Sequence, residues 1–287
     1  MKMQLAAAVL ALALGAGGVA AAPEKPTLEE PSVEKGYSHW TKVNGHRMYY
    51  ELRGTGRPLL LLHGGGSTIE DSFGYQLGPF AAAHRIIAPE QVGHGHTPDV
   101  PGPLSYTRMT EDTARLLQQL HLSDVDVMGF SDGGIIALML ALRHPDLVRR
   151  LVVTGANLDP SGLTDAGPED IQAREADLPM NPRARAHYAA ESPDGPGHAD
   201  VMDDKLTQLW LHYPAKDELS PEMLKGLHKR VLVMSGDRDQ IKLEHTMLIY
   251  QSLPDAQLWI LPGTEHATFS ARPQWVNAVV SSFLDEP

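Results

Sequence analysis

A serine flanked by glycines lies where an apolar stretch of the sequence gives way to a helical pattern. Residues 129–133 read GFSDG, a G-x-S-x-G pattern that lets the chain turn sharply and hold the serine at the tip of a strand-to-helix turn. Backbone N–H groups at a helix N-terminus favour developing negative charge. The pattern predicts that Ser131 is a nucleophile. The alternative is a tight turn in which Ser131 only caps the helix.

A second glycine cluster, His63-Gly64-Gly65-Gly66, follows an earlier apolar run. An N–H of such a loop can donate to an oxyanion, together with the N–H of the residue after the nucleophile. We expect Gly65 and Asp132 to supply these donors, with Gly66 as the next candidate and His63 as a structural residue. A phosphate-binding loop is the alternative, but no Walker or G-x-G-x-x-G pattern opens a helix here.

A serine nucleophile needs a base, and the base needs a carboxylate that orients it. In the chain order Ser, acid, His, both partners are expected on loops after later strands. Residues 236–239 (GDRD) follow one apolar run, and residues 262–266 (PGTEH) follow the last. We expect His266 to be the base, because it joins the loop after the last strand to the start of a final helix. The residues alone leave both Asp237 and Asp239 open as the acid.

Two further histidine patterns are expected to be structural. His245 falls within a helical pattern and is expected on the helix surface. The pair His94-x-His96 resembles two metal ligands, but no third ligand follows at a fitting spacing. The sequence therefore predicts neither a metal ion nor a cofactor.

Strand and helix patterns alternate along the chain from residue 37. Asn44-Gly45 is a strong hairpin signal, and the continuous apolar run at 58–62 indicates a strand covered on both faces. The alternation predicts an α/β fold whose mostly parallel central sheet has helices on both faces. The expected strands are Tyr37–Val43, Arg47–Leu52, Pro58–Leu62, Arg85–Ala88, Val125–Gly129, Leu151–Thr154, Val231–Ser235 and Leu258–Leu261. The expected helices are Tyr106–Leu120, Asp132–Arg143, Gln240–Gln251 and Pro273–Phe283.

Residues 156–222 interrupt this alternation. They lack a clear strand pattern and carry 14 Asp and Glu against 5 Lys and Arg, a net charge of −9. A structureless insertion of that length is improbable in a compact domain, so we expect a helical cap or lid. A solvated surface excursion is the alternative. The core would then comprise residues 37–155 and 223–287.

The N-terminal 22 residues have the plan of a secretory signal peptide: Lys2, an apolar run, and small residues up to Ala22. A membrane anchor is the alternative, but the apolar part is short for a hydrocarbon core of ~30 Å. Residues 23–36 are rich in Pro and charge, which is typical of a flexible lead-in. We expect an exported protein, periplasmic or secreted, with no membrane attachment after signal removal.

Composition excludes several classes of function. The 287-residue chain has a net charge of −12 and no run rich in Lys and Arg, which argues against a nucleic acid as partner. It has no cysteine, which excludes disulfides, thiolate metal sites and a cysteine nucleophile. The expected partner is a small molecule.

The order Ser131, Asp239, His266, with HGGG upstream and an inserted segment before the acid, resembles the α/β-hydrolase-fold serine hydrolases. The resemblance covers nearly all of the chain after residue 37. In this family the acid is usually the last residue of a G-x-x-D turn, which points to Asp239 and leaves Asp237 to support the turn. The stretch VMGFSDGGIIALMLALRHPDLVRRLVVTGAN is similar to the valacyclovir hydrolase and biphenyl hydrolase-like amino-ester hydrolases.

This resemblance implies a carboxylic ester hydrolase that forms an acyl-serine, with Gly66, Phe130 and Asp132 beside the substrate. In the amino-ester hydrolases the acid after the serine helps to bind the substrate's ammonium group, and that position is Asp132 here. The alternative is that Asp132 only complements the positive end of the following helix.

Other reactions share the same residues. A lactonase, an amidase, a cofactor-free haloperoxidase or perhydrolase, and a carbon–carbon bond hydrolase all remain open. Haloalkane dehalogenases and most epoxide hydrolases of this fold place Asp where this chain has Ser131, so acyl transfer to water is favoured over alkyl transfer. A non-catalytic ligand-binding protein on the same fold is a different class, and the intact Ser, Asp, His order argues against it.

Overall fold

The computed structural model describes residues 37–164, 182–212 and 219–286. The predicted signal peptide (1–22) and lead-in (23–36) lie outside the described residues. Parts of the predicted cap, residues 165–181 and 213–218, lie outside them as well. Among the helices within the described ranges, none combines the length and the apolar character that crossing a membrane requires.

One sheet of eight strands runs through the described residues, in the order β1-β2-β4-β3-β5-β6-β7-β8. The β1–β2 and β2–β4 pairs are antiparallel, and the other five pairs are parallel. Each expected strand is present, with ends that differ by at most three residues, so the predicted mostly parallel α/β sheet is confirmed. The strands are β1 Ser38–Val43, β2 His46–Arg53, β3 Arg57–Leu62, β4 His84–Pro89, β5 Val125–Phe130, β6 Val148–Thr154, β7 Arg230–Gly236 and β8 Ala256–Leu261.

The predicted hairpin is present between β1 and β2. Asn44 and Gly45 connect the two strands with φ angles of 41° and 101°. Positive φ at both positions is what a two-residue turn of type I′ requires, and Asn-Gly is the pair that adopts it most readily. The hairpin register then pairs Val43 with His46.

Four expected helices are present, and outside the inserted segment one long helix was not predicted. The unpredicted helix, α1, contains Pro79, which hides its periodicity, although Thr68 and Asp71 form a capping box at its start. The predicted helix at 240–251 begins later, at Leu243. The helices of the described residues are α1 Ile69–Ala81, α2 Tyr106–Gln119, α3 Asp132–Arg143, α4 Pro182–Glu191, α5 Ala199–His212, α6 Pro221–Leu224, α7 Leu243–Ser252, α8 Thr268–Ala271 and α9 Pro273–Asp285.

Hydrophobic cores lie on both faces of the sheet, and alternate residues of one strand belong to different cores. In β3, Leu60 and Leu62 join the core formed with α2 and α3, whereas Leu59 and Leu61 join the core formed with α1 and α9. All four leucines are fully buried. A strand covered on both faces reads as a continuous apolar run, so the prediction of helices on both faces is confirmed.

Helices α4 and α5 lie in the segment between β6 and β7 that interrupts the strand–helix alternation. Leu206 and Leu209 of α5 are buried. Where this segment leaves the core, residues 162–164 pair with residues 240–242: the Thr164 N–H donates to the Gln240 carbonyl at 2.7 Å, and the Lys242 N–H donates to the Gly162 carbonyl at 2.8 Å. That residues 156–222 form one cap stays a prediction.

Candidate active site

Ser131 stands between β5 and α3 in a backbone conformation that non-glycine residues rarely adopt, with φ 53° and ψ −120°. The flanking glycines permit this sharp turn. A Cβ at Gly133 would lie 2.0 Å from the Leu62 carbonyl oxygen, and a Cβ at Gly129 would lie 2.3 Å from the Gly133 carbonyl oxygen. The G-x-S-x-G spacing therefore follows from close backbone packing around the serine.

Hydrogen bonds join the three residues that the sequence places on separate loops. His266 Nε2 lies 3.0 Å from Ser131 Oγ, and His266 Nδ1 lies 2.7 Å from Asp239 Oδ1. The carboxylate of Asp239 also accepts the Ile241 N–H at 2.9 Å and the Ser235 hydroxyl at 3.1 Å. Burial by itself would raise the pKa of Asp239, but the hydrogen bond to His266 and the Ile241 N–H hold it below the ordinary value. Asp239 is therefore poised to stay ionised beside the imidazole.

The other acidic candidate, Asp237, and the nearby-strand residue Asp159 both accept hydrogen bonds from the backbone. Asp237 accepts the Thr264 N–H at 3.1 Å, and the N–H groups of Gly263 and Thr264 hold the pKa of its carboxyl below the ordinary value. Asp237 thus supports the turn that carries His266. Asp159, at the end of β6, accepts the Ser161 N–H at 2.8 Å and caps a short turn.

Two N–H groups of the glycine loop after β3 are already engaged, and one of them belongs to Gly64, which donates to Ser72 Oγ at 3.2 Å. The Gly66 N–H donates to His94 Nε2 at 3.0 Å, and Gly66 has a φ of 64°. No hydrogen bond from the Gly65 N–H is found among the described residues. Asp132 is the first residue of α3, and the first N–H groups of a helix have no intrahelical acceptor. Of the loop donors that the sequence suggests, Gly65 is the one left available.

His63 and His94 hold this loop in place. The His63 ring is buried, with Nδ1 2.8 Å from the Gly64 carbonyl and Nε2 accepting the Gln91 N–H at 2.9 Å. Burial, aided by nearby His94, lowers the pKa of His63 to about 3. His94 is buried too, and burial lowers its pKa. Both imidazoles are therefore neutral structural groups, as expected for His63.

Phe130, which the sequence places beside the substrate, lies against the catalytic histidine candidate. Its ring centroid is 5.0 Å from that of His266 and 5.9 Å from that of Phe269. Tilted aromatic contacts at these separations are favourable. Phe130 therefore packs against the imidazole of His266. The sequence did not indicate this packing role.

The carboxylate of Asp132 is buried, with 5% of the residue exposed. It accepts the Tyr106 hydroxyl at 2.7 Å and the Trp210 indole N–H at 3.0 Å. Burial raises the pKa of Asp132, although these two hydrogen bonds and the nearby His266 oppose the rise. Neutral donors thus satisfy this carboxylate.

Trp210 belongs to α5, so the inserted segment reaches the turn that bears the serine. Its indole also lies close to the glycine loop: a Cβ at Gly65 would stand 2.8 Å from Trp210 Cζ2 and 2.2 Å from Asp132 Oδ2. Only glycine fits at position 65 without displacing these groups. Sequence reasoning missed Trp210 and Tyr106, because neither lies near Asp132 along the chain and neither belongs to a motif.

The prediction that His245 lies on a helix surface was wrong. His245 is 7% exposed, and its Nε2 accepts the Leu158 N–H at 2.8 Å. Helix α7 packs over the short turn at 160–162, where Gly162 leaves room: a Cβ there would lie 2.7 Å from the imidazole. The ring therefore satisfies a backbone N–H inside the protein.

His96 has neighbours that its sequence spacing did not reveal. Within the described part of the chain, one group of three side chains has the arrangement of potential metal ligands, namely Glu90, His96 and Glu191, whose ligand atoms lie within 4.8 Å of one another. Glu191 comes from α4, far along the chain, so the search for a third ligand near His94 and His96 could not find it.

An eight-stranded sheet, a serine on a strained turn after β5 and a hydrogen-bonded Ser131, His266 and Asp239 define an α/β hydrolase. Residues 59–279 match the Alpha/beta hydrolase family, and the chain belongs to this family. The predicted fold and family are thereby confirmed, and the protein is a hydrolase.

Named relatives cover most of the chain. It is 28% identical over 256 residues to the 2-hydroxymuconate semialdehyde hydrolase of Pseudomonas sp. (strain CF600), covering 81% of this chain and 88% of the relative. It is 25% identical over 253 residues to the serine hydrolase BPHL of Homo sapiens, covering 84% of each chain. A solved structure of a meta-cleavage product hydrolase from Pseudomonas fluorescens has a TM-score of 0.73 at 21% identity and covers 87% of this chain and 98% of that one. The last likeness shows the fold alone.

Proposed function

We propose that this hydrolase cleaves carboxylic esters through an acyl-serine intermediate. The observation that carries the proposal is the continuous hydrogen-bonded arrangement in which His266 lies 3.0 Å from Ser131 Oγ and 2.7 Å from Asp239. A serine hydroxyl becomes a strong nucleophile when a neighbouring imidazole takes its proton, and a carboxylate on the other ring nitrogen stabilises the imidazolium that forms.

In the first half of the reaction, Ser131 Oγ attacks the ester carbonyl carbon while its proton passes to His266 Nε2. The imidazolium then gives this proton to the departing alcohol oxygen as the carbon–oxygen bond breaks. In the second half, His266 takes a proton from water as the water oxygen attacks the acyl carbon. The imidazolium then returns this proton to Ser131 Oγ as the bond between the acyl carbon and Oγ breaks, which releases the acid. Asp239 holds His266 in the tautomer that these proton transfers require.

The N–H groups of Gly65 and Asp132 are the proposed donors to the oxyanion of each tetrahedral intermediate. Such donors act most strongly when they are fixed in place before the reaction. The packing of Trp210 and Asp132 against Gly65, and the engagement of the Gly66 N–H by His94, favour a fixed loop of this kind.

We further propose that esters with an α-amino group are preferred. A carboxylate beside the reacting carbonyl repels the oxyanion that forms there. A positive charge near Asp132 would offset this repulsion. Its described hydrogen-bond donors, Tyr106 and Trp210, are both neutral, and a substrate ammonium group can supply that charge. The likeness to the serine hydrolase BPHL supports this choice. The acidic segment at 156–222 would also attract cations over a longer range.

Two measurements test the proposal. A fluorophosphonate probe should label Ser131, and Ser131→Ala should abolish labelling; no labelling of folded protein would favour a non-catalytic binding protein. A pair of nitrophenyl esters that differ only in an α-amino group should then be compared by kcat/KM. Hydrolysis of both esters with equal efficiency would leave a general esterase and remove the amino-ester preference.

A second candidate comes from the relatives. The name 2-hydroxymuconate semialdehyde hydrolase suggests a semialdehyde of that type as substrate, acted on by the same Ser131 and His266. Incubation with 2-hydroxymuconate semialdehyde, beside the two esters, separates the two functions. A kcat/KM for the semialdehyde above that for both esters would replace the ester proposal.

A further inference from the structure

The side chains of Glu90, His96 and Glu191 meet outside the candidate active site. Glu90 directly follows β4, His96 lies in the loop beyond it, and Glu191 is the last residue of α4. One potential ligand atom from each lies within 4.8 Å of the other two. Ligands of a tetrahedral zinc ion, at about 2.0–2.2 Å from it, lie roughly 3.3–3.6 Å apart. Side-chain movements of about 1 Å would therefore bring all three onto one ion.

Glu90 and His96 are already fixed in position. The Glu90 side chain is 3% exposed, and its Oε2 accepts the His96 N–H at 2.6 Å and lies 2.9 Å from His96 Nδ1. The His96 ring stacks on Tyr49 with centroids 4.3 Å apart. Groups that are held in place lose little freedom when they bind an ion, which is the general basis of preorganised sites.

Within the described residues, this cluster brings two carboxylates to one imidazole. Glu90 Oε1 and both carboxylate oxygens of Glu191 have no hydrogen bond or ion pair within the described residues. Glu51 also stands near His96, but Glu51 pairs with Arg53. Two carboxylates that share one imidazole repel each other, and a divalent cation between them would relieve that repulsion.

We propose that Glu90, His96 and Glu191 form a binding site for a divalent first-row metal ion such as Zn²⁺. One imidazole and two carboxylates belong to the ligand types that zinc uses. Because Glu191 comes from α4 and the other two ligands from the loop after β4, a bound ion would join the inserted segment to the core. The site is separate from Ser131, Asp239 and His266, and the proposal does not depend on the substrate.

The test is calorimetric titration of chelator-treated full-length protein with ZnCl₂, together with thermal unfolding with and without Zn²⁺. The parent should bind one equivalent, and Zn²⁺ should raise its Tm. Glu191→Gln and His96→Gln should each weaken this binding by tenfold or more and remove most of the Tm shift. Without metal, Glu191→Gln should unfold at the same or a higher Tm than the parent, because the substitution removes a repelling charge. That comparison separates loss of a ligand from loss of folding.

Two matched variants control for the other histidines and for surface charge. His198→Gln removes a histidine that pairs with Asp99, and Glu222→Gln removes an exposed carboxylate that pairs with Lys225. Both should bind Zn²⁺ as the parent does. Equal affinity in the parent and in Glu191→Gln, or no Tm shift in the parent, would overturn the proposal. The cluster would then be an internal hydrogen-bonded contact.

Discussion

Two buried carboxylates stand on either side of the Ser131 turn, and their surroundings shift their pKa values in opposite directions. Asp239 is 8% exposed and Asp132 is 5% exposed, so burial disfavours the charge on both. For Asp239, contact with the imidazole of His266 and further hydrogen bonds more than offset burial, and the pKa falls. For Asp132, two hydrogen bonds from neutral donors do not offset burial, and the pKa stays raised.

The difference shows that the partner, more than the distance from the nucleophile, gives a carboxylate its role. Asp239 has a partner that becomes cationic within the protein, so it can stabilise positive charge during the reaction. The described hydrogen-bond donors to Asp132 are both neutral, and His266 acts on it only through the charge of a nearby ring. This contrast underlies the proposal that Asp132 binds a cationic group of the substrate. Pairs of groups with opposite pKa shifts in one site mark different chemical roles.

The largest expected effect comes from removing the imidazole that Asp239 orients. His266→Ala should lower kcat/KM by on the order of 10³-fold or more, because members of such a unit act together. The loss should be similar for the α-amino ester and for its matched ester, since both need the same proton transfers. Ser131→Ala serves as the reference. A loss below roughly tenfold would contradict the assignment of His266 as the base.

Substitution of Asp237 and Asp239 should show which of them orients the His266 imidazole and which only supports the turn. Asp239→Asn should lower kcat/KM by roughly 10³- to 10⁴-fold, because the amide leaves the wrong imidazole tautomer in place. Asp237→Asn is the matched control: it keeps an oxygen that can accept the Thr264 N–H, so activity should change by only a few-fold. If Asp237→Asn proved the more damaging variant, the acid would be misassigned.

Substitution of Asp132, the second of the two buried carboxylates, tests the proposed binding of the substrate's ammonium group. Asp132→Asn should lower kcat/KM for the α-amino ester by ~10-fold or more, about 1.4 kcal/mol, and change the matched ester little. Equal losses on both esters would show that the carboxylate only complements the start of α3.

The same prediction has a pH dependence with a definite sign. Because burial raises the pKa of Asp132, its carboxylate takes up a proton at a higher pH than an ordinary Asp does. The ratio of the two kcat/KM values should therefore fall as pH is lowered, and any effect of pH on the proton transfers that both esters share cancels in the ratio. A ratio that stays constant with pH in the parent would contradict ammonium binding.

The smallest expected effect tests the donor from the inserted segment. Trp210→Phe removes the indole N–H that Asp132 accepts at 3.0 Å and keeps an aromatic ring beside Gly65. One hydrogen bond is worth about 0.5–1.5 kcal/mol, so the preference for the α-amino ester should change by roughly 2- to 10-fold, and its loss should begin at a higher pH. Trp275→Phe, at an exposed position, is the control and should change neither quantity.

What the sequence could predict depended on how local the controlling interactions are. The glycine pattern around Ser131 predicted where α3 begins, and His144-Pro145 predicted where it ends. Asn44-Gly45 predicted the hairpin. These predictions succeeded because close backbone packing and φ angles are set locally. The choice of Asp239 over Asp237 needed the family resemblance, since both carboxylates lie on the same turn.

The missed features involve contacts between distant parts of the chain. Tyr106 and Trp210 reach Asp132 from separate helices, and Glu191 reaches His96 in the same way. No pattern within a short window reports such contacts. His245 was misplaced for a related reason: a single histidine in a helical pattern does not reveal which backbone N–H lies opposite it.

The backbone pairing of residues 162–164 with residues 240–242 also sets a boundary for recombination between related hydrolases. Thr164 pairs with Gln240, and Gly162 pairs with Lys242, directly after Asp239, the proposed acid. A chimera that exchanges the insert from residue 165 onward keeps both sides of this pairing from one parent. A crossover upstream of Gly162 would join sides from different parents and displace the loop that holds Asp239. In libraries that exchange only the insert, with a second crossover before Gln240, a first crossover after Thr164 should therefore retain more active hydrolases than one a few residues earlier.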